Sequence, residues 1–219
     1  MEIAILLYDR MTALDAMGPF EVLAALPGAE VRFVARERGE VRVQPRSLGL
    51  VADYAIADVT AADVLVVPGG FGDEAVCRDP RMLDWVRAIH QTTTWTTSVC
   101  TGSLLLGAAG ILDGLRATSH WLELETLRQY GAEPTGERVV EQGKVITAAG
   151  VSSGIDMALT LAARIAGEDV AKAIQLAIEY DPQPPFDAGS VEKAPPEAVE
   201  LVRAAVAARE QASQERAAV

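Results

Sequence analysis

Residues 95–110 read WTTSVCTGSLLLGAAG, and the change of character at Cys100 decides the fold. Trp95 to Val99 is a β-rich run without polar alternation, the pattern of a strand buried on both faces. Gly102 to Ala109 follows at once with small and aliphatic residues that can begin a buried helix. Cys100 therefore stands at a strand-to-helix turn. There the first N–H groups of the helix are unpaired and its dipole is positive, which favours a thiolate over a thiol. A lone cysteine is often just a small buried hydrophobe, but this elbow makes Cys100 the predicted nucleophile, ionised at neutral pH.

Upstream, Ile3 to Leu7, Val31 to Ala35 and Val64 to Val67 are further buried-strand patterns. Between the strands, Ala13 to Ala25 and Pro80 to Gln91 have the length and spacing of crossover helices, the second with Asp79 as cap and Pro80 in its first turn. Strands alternating with helices predict a doubly wound α/β fold, with a mainly parallel sheet sandwiched by helices. Downstream, Trp121 to Tyr130 reads as a helix stopped by Gly131, and Arg138 to Glu141 with Lys144 to Thr147 as a hairpin around Gln142 and Gly143. Ser152 and Ser153 can cap a helix running to Ala166, with Gly167 ending it before another helix from about Asp169 to Ile178. Residues 181–196 are dense in Pro and Gly and predict an irregular segment, followed by a charged, Ala-rich helix over 196–216 with frayed last residues. Residues 1–219 are read as one domain.

The 219-residue chain is 50% hydrophobic, enough for a large core without disulfide support. Its 19 Lys plus Arg against 31 Asp plus Glu give a net charge of −12, the wrong sign for binding nucleic acid or anionic lipid. The apolar run at the amino terminus is short, is interrupted by Asp9 and Arg10, and lacks a basic flank, so no membrane span is read and a cytoplasmic location is expected. Two cysteines, Cys77 and Cys100, suggest neither a disulfide framework nor a structural metal.

Asp15 lies in the first βα turn, and such turns gather at the carboxyl ends of a parallel sheet. Among Ala13, Leu14, Ala16 and Met17 it would be partly desolvated and held protonated, which suits proton exchange beside a nucleophile; a helix-cap acid is the equal alternative. VPGGFG, residues 67–72, follows a buried strand, and the N–H groups of Gly69 and Gly70 can approach a ligand, although a tight turn alone would read the same way. Thr101 can hydrogen-bond substrate, water or backbone, or merely cap the helix. His120 and Trp121, in ATSHW, can wall a cleft, against the commoner reading of His120 as structural. His90 ends a helix, where a cation suits the dipole. Cys77 reads as incidental packing, and Asp156 as a first-turn helix acid.

Taken together, the PGG turn of residues 68–70 and the elbow at Cys100 resemble the superfamily of the PfpI proteases and the class I glutamine amidotransferase-like domains. Within it LDAMGPFEVL, VPGGFG, SVCTGSLLLGAAGIL, ATSHW, ERVVEQGKVITAAGVSSGIDMALTLAA and above all LAIEYDPQPPFDAGS are similar to the isocyanide hydratases. The amino-terminal halves of AraC-type regulators share the elbow and the HW and GID motifs. The resemblance spans nearly the whole chain and implies a flavodoxin-like sheet.

It further implies Cys100 as nucleophile, Asp15 as the acid that moves protons with the help of a water, and Thr101 beside the thiol, with Gly70 and Thr101 lining the pocket. Many protease-like and deglycase-like relatives carry Glu at the first acidic position and often His after the Cys; Asp15 and Thr101 here point away from peptidase activity. The reaction implied is addition of water to an isocyanide, giving the N-substituted formamide through a covalent thioimidate, by a homodimer that needs no cofactor. A cysteine-dependent hydrolase or deglycase, and a ligand or redox sensor using Cys100 without catalysis, are the competing readings.

Overall fold

A computed structural model of the chain describes residues 1–217, which form two compact units, one over Met1–Tyr180 and one from Asp181 onward. The first unit begins β1 (Glu2–Leu6), α1 (Ala13–Leu23), β2 (Glu30–Ala35), β3 (Gly39–Arg42), β4 (Gly49–Ala52), β5 (Tyr54–Ala55) and β6 (Val64–Val67). It continues with α2 (Asp73–Cys77), α3 (Pro80–Thr92), β7 (Trp95–Val99), α4 (Gly102–Ala108), β8 (Arg116–Ala117) and a 3-10 helix at Leu124–Tyr130. β9 (Glu133–Pro134), β10 (Val139–Gln142), β11 (Val145–Ala148), α5 (Ser153–Ala166) and α6 (Glu168–Ala177) complete it. The second unit holds the irregular segment that follows Asp181 and the helix α7 (Pro196–Ala217). No helix among the described residues is long and apolar enough to cross a membrane.

Seven strands form the main sheet in the order β10-β11-β7-β6-β1-β2-β5, all pairs parallel except β10 with β11. The four buried runs of the sequence are its centre, and every residue of β6 is buried. Burial on both faces of β1, β6 and β7 is why no polar alternation is written into them, whereas β2 is only partly buried and carries Arg32. The chain leaves β1 toward β2 on one side and reaches β6 and β7 on the other, so the carboxyl ends of β1, β6, β7 and β11 face a shared crevice.

The helices keep to their sequence signals, with α3 capped by Asp79, whose carboxylate accepts the Arg81 N–H at 3.0 Å. Three expectations are corrected. Residues 121–130 form turns and a 3-10 helix instead of an α-helix, still closed by Gly131 at φ +75°. Neither serine caps α5: the Ser152 hydroxyl accepts from Arg138 at 3.2 Å and the Ser153 hydroxyl donates to the Gly150 carbonyl at 3.0 Å. His90 is disfavoured as a cation, because burial and nearby Lys144 both push its pKa down, while its Nδ1 bonds the Thr96 hydroxyl at 2.8 Å.

Candidate active site

Cys100 follows β7 directly and sits at φ +59°, a left-handed conformation that costs a non-glycine residue about 1–2 kcal/mol. The surroundings over-determine it. Its N–H donates to the Ala148 and Ala149 carbonyls at 3.0 and 3.1 Å, and its own carbonyl accepts the hydroxyls of Ser103 and Ser119 at 3.1 and 3.2 Å. The bend turns the sulfur toward the backbone N–H groups of Thr101 and Val151, both of which favour its ionised form. Val151 is itself left-handed, at φ +41°, in the loop after β11.

Asp15 in α1 is fully buried. The stitch that brings it there is backbone: Thr12 N–H donates to the Gly69 carbonyl at 2.9 Å, fastening the entrance of α1 to the PGG turn. Gly69 N–H then donates to Asp15 Oδ2 at 3.0 Å, while Oδ1 has no hydrogen-bond partner among the described residues. The carboxyl faces the Cys100 thiol, and the two titrate against each other. Burial drives Asp15 from the ordinary carboxylate value up to about 7, against the opposing pull of Gly69 N–H and the thiol.

The expectation of a thiolate at rest is corrected. Cys100 is only 5% exposed, and burial together with the Asp15 charge raises its thiol well above the usual range despite the two backbone donors. α4 has just seven residues, and its short dipole does not outweigh that desolvation. The resting pair is a neutral thiol beside a carboxyl poised near neutrality.

The remaining sequence candidates fall into two groups. Gly69, Gly70 and Thr101 are at the centre, but their polar groups are engaged internally: Gly69 N–H holds Asp15, and Gly70 N–H donates to Thr101 Oγ1 at 2.9 Å. Thr101 is the N-cap residue of α4 yet makes no side-chain cap bond. A Cβ on Gly69 would meet the Thr101 backbone nitrogen at 2.4 Å, so only glycine permits the two turns to touch. His120 and Trp121 form the second group, their rings 5.8 Å apart. His120 Nδ1 accepts the Leu122 N–H at 3.3 Å, burial lowers its pKa, and its ring packs against Gly150 in the loop that carries Val151. His120 is not among the groups that shift either Cys100 or Asp15.

Val151, Ser119 and Tyr8 escaped the sequence reading. Valine carries no polar side chain, and a positive φ at a β-branched residue contradicts its own preference, so no local signal marks it. No group of three or more His, Cys, Asp or Glu among the described residues is arranged to hold a metal ion.

An elbow cysteine under a buried carboxyl, on a mainly parallel sheet, agrees with the wider comparison, in which residues 1–164 match the DJ-1/PfpI family. The chain belongs to the DJ-1/PfpI family. It is 42% identical over 203 residues to an isonitrile hydratase of Pseudomonas putida, covering 93% of this chain and 89% of that protein. Among solved structures, a THiJ/PfpI family protein from Pseudomonas syringae superposes with a TM-score of 0.91 at 38% identity, over 94% of this chain and 86% of that one. Drosophila melanogaster DJ-1beta, at 20% identity and a TM-score of 0.73 over 81% of this chain and 97% of that one, shares the fold.

Proposed function

We propose that this DJ-1/PfpI member hydrates an organic isocyanide, R–NC, to the N-substituted formamide. The observation that carries the reading is Asp15, a fully buried carboxyl with pKa about 7 and one unpartnered oxygen beside the elbow thiol. The Pseudomonas putida relative and the matching motifs supply the substrate class.

The terminal carbon of an isocyanide accepts both a nucleophile and a proton, and a thiol beside a carboxylate offers both. Sγ bonds to that carbon while Asp15 takes the thiol proton and delivers it to the same carbon, giving the thioimidate R–N=CH–S. Water then adds: its oxygen bonds to the carbon, and Asp15 passes a water proton to the nitrogen. The C–S bond breaks as the hydroxyl becomes a carbonyl, and its proton returns through Asp15 to sulfur, releasing R–NH–CHO and the thiol. Atoms and electrons balance without an oxidant or cofactor.

Each transfer needs a group that gives and takes protons near neutral pH, which a carboxyl of ordinary acidity does poorly. The N–H groups of Thr101 and Val151 stabilise charge on sulfur as it attacks. Gly69 and Gly70 act as fixings for Asp15 and Thr101, and His120 with Trp121 borders the opening that admits R. A cytoplasmic homodimer acting on this small molecule completes the proposal, its assembly to be read by sedimentation.

Proton NMR of formamide formation from a simple alkyl isocyanide tests the reading. The wild type is expected to turn over while Cys100→Ala does not, with the thioimidate seen by intact mass in wild-type protein quenched during turnover and absent from Cys100→Ala. No formamide from a panel of isocyanides, with turnover of a methylglyoxal adduct instead, would replace hydration by deglycation.

A further inference from the structure

We propose that Tyr8 is a positioning residue for this site, acting on the Asp15 carboxyl through the peptide group that joins Pro68 to Gly69. Tyr8 lies two residues beyond the end of β1 and was not among the residues marked by the sequence. It is buried, and its hydroxyl donates to the Pro68 carbonyl at 2.9 Å. The nitrogen of that same peptide group is the Gly69 N–H that donates to Asp15 Oδ2 at 3.0 Å. The peptide is trans, so its carbonyl and its N–H point to opposite sides, and the two bonds hold one planar plate at both ends.

Two effects act on the acid. Pinned at both ends, the plate keeps its N–H aimed at the carboxyl. A donor on the carbonyl also polarises the peptide and makes its N–H the stronger donor, which favours the ionised form of Asp15. Tyr8 is placed to remain such a donor: burial and the charges of Asp73, Asp15, Cys100 and Cys77 all keep its phenol protonated. Its ring packs against Gly72, where an added carbon would meet Cδ2 at 3.2 Å. The titratable group set directly against Asp15 is the Cys100 thiol, so the uncharged Tyr8 reaches the acid by way of the backbone.

The inference rests on the hydration reading for its kinetic arm alone, and the first measurement needs no substrate. Carbon-13 NMR of protein labelled at the aspartate carboxyls follows the titration of Asp15, assigned by its loss in Asp15→Asn. Tyr8→Phe, which removes one oxygen, is expected to raise that midpoint from about 7 by about half a unit to one unit. Replacing the four tyrosines by 3-fluorotyrosine keeps every ring and hydroxyl and strengthens the hydroxyl as a donor, so the midpoint is expected to fall. The same replacement in Tyr8→Phe leaves it unmoved. In isocyanide hydration Tyr8→Phe lowers kcat about fivefold near pH 6 and less than about twofold near pH 8.5, where Asp15 is ionised in both proteins, with KM near the wild-type value.

An Asp15 midpoint that stays or falls in Tyr8→Phe would overturn the proposal. A kcat loss of equal size at both pH values would overturn it too, since that is the mark of loosened packing. Should Tyr8→Phe not fold, the fluorinated wild type decides, and a midpoint there that stays or rises ends the proposal. A wild type inert toward isocyanides whose Asp15 midpoint still answers to Tyr8 sinks the hydration reading and upholds the positioning role.

Discussion

Cys77 is half-buried and Cys100 buried, and desolvation pushes both thiols upward, yet only Cys100 faces both a buried carboxyl and two backbone N–H groups. Cys77 ends the short helix α2, where burial and the Asp73 charge raise its thiol to about 12, partly opposed by a hydrogen bond with Tyr130. Cys100 also suffers desolvation and a neighbouring carboxylate, but two backbone N–H groups converge on it from separate loops and the carboxyl beside it titrates near 7. Burial therefore does not separate a structural thiol from a reactive one. The difference lies in a partner able to remove the proton and in donors ready for the charge that appears.

The sharpest way to break this contrast is to delete each sulfur. Cys100→Ala is expected to lose at least about a thousandfold in kcat/KM for isocyanide hydration, and Cys77→Ala to stay within about twofold, by NMR rate measurements on both. Asp15→Asn follows, with a loss in kcat of about a hundredfold or more, because the amide keeps the Gly69 N–H bond but moves no protons. The same variant should move Cys100 alkylation the other way, shifting its pH midpoint down by about a unit or more, since the opposing charge is gone. The Cys77 profile, read in the same digest, should not move.

A subtler consequence concerns stability. Asp15 is protonated in the folded chain up to about 7, while in the unfolded chain it ionises at its ordinary value of 3.8. Between those values the folded state holds the extra proton, so this residue's contribution to stability falls as pH rises through that window and stays low above it. Asp15→Asn removes the penalty: thermal melts should show the variant gaining on the order of a few kcal/mol over wild type near pH 8 and almost nothing near pH 4. Equal gains at both pH values would show that Asp15 carries no such burden. The smallest effect is expected at Cys77, where Cys77→Ala costs about 1 kcal/mol or less because a half-buried side chain leaves a small void.

The sequence carried the frame of this site further than its electrostatics. Buried strands announce themselves by unbroken apolar runs, and the elbow by the step from Val99 to Gly102, because both are local patterns. Asp15 was only half legible from its own segment, where a helix-cap acid reads equally well, and the family resemblance decided between the two. The protonation of Cys100 was not legible, since it depends on how many layers cover the sulfur and on a carboxyl 85 positions away in the chain. Nor were the engaged N–H groups of Gly69 and Gly70, which look like open donors until the side chains of Asp15 and Thr101 arrive from elsewhere. The edge strands β5, β8 and β9 have two residues each, too few to set a period.

The contact between Gly69 and the Thr101 peptide has a bearing on how such a protein can change over time. With 2.4 Å left for any added carbon, that junction admits no side chain at all, and a mutation there would pry apart the acid and the nucleophile together. New substrates must then be accommodated where variation is cheap, at the rim, while the joint beneath is inherited unaltered. One missing methyl group in this way divides the crevice into a part that lineages can tinker with and a part they cannot.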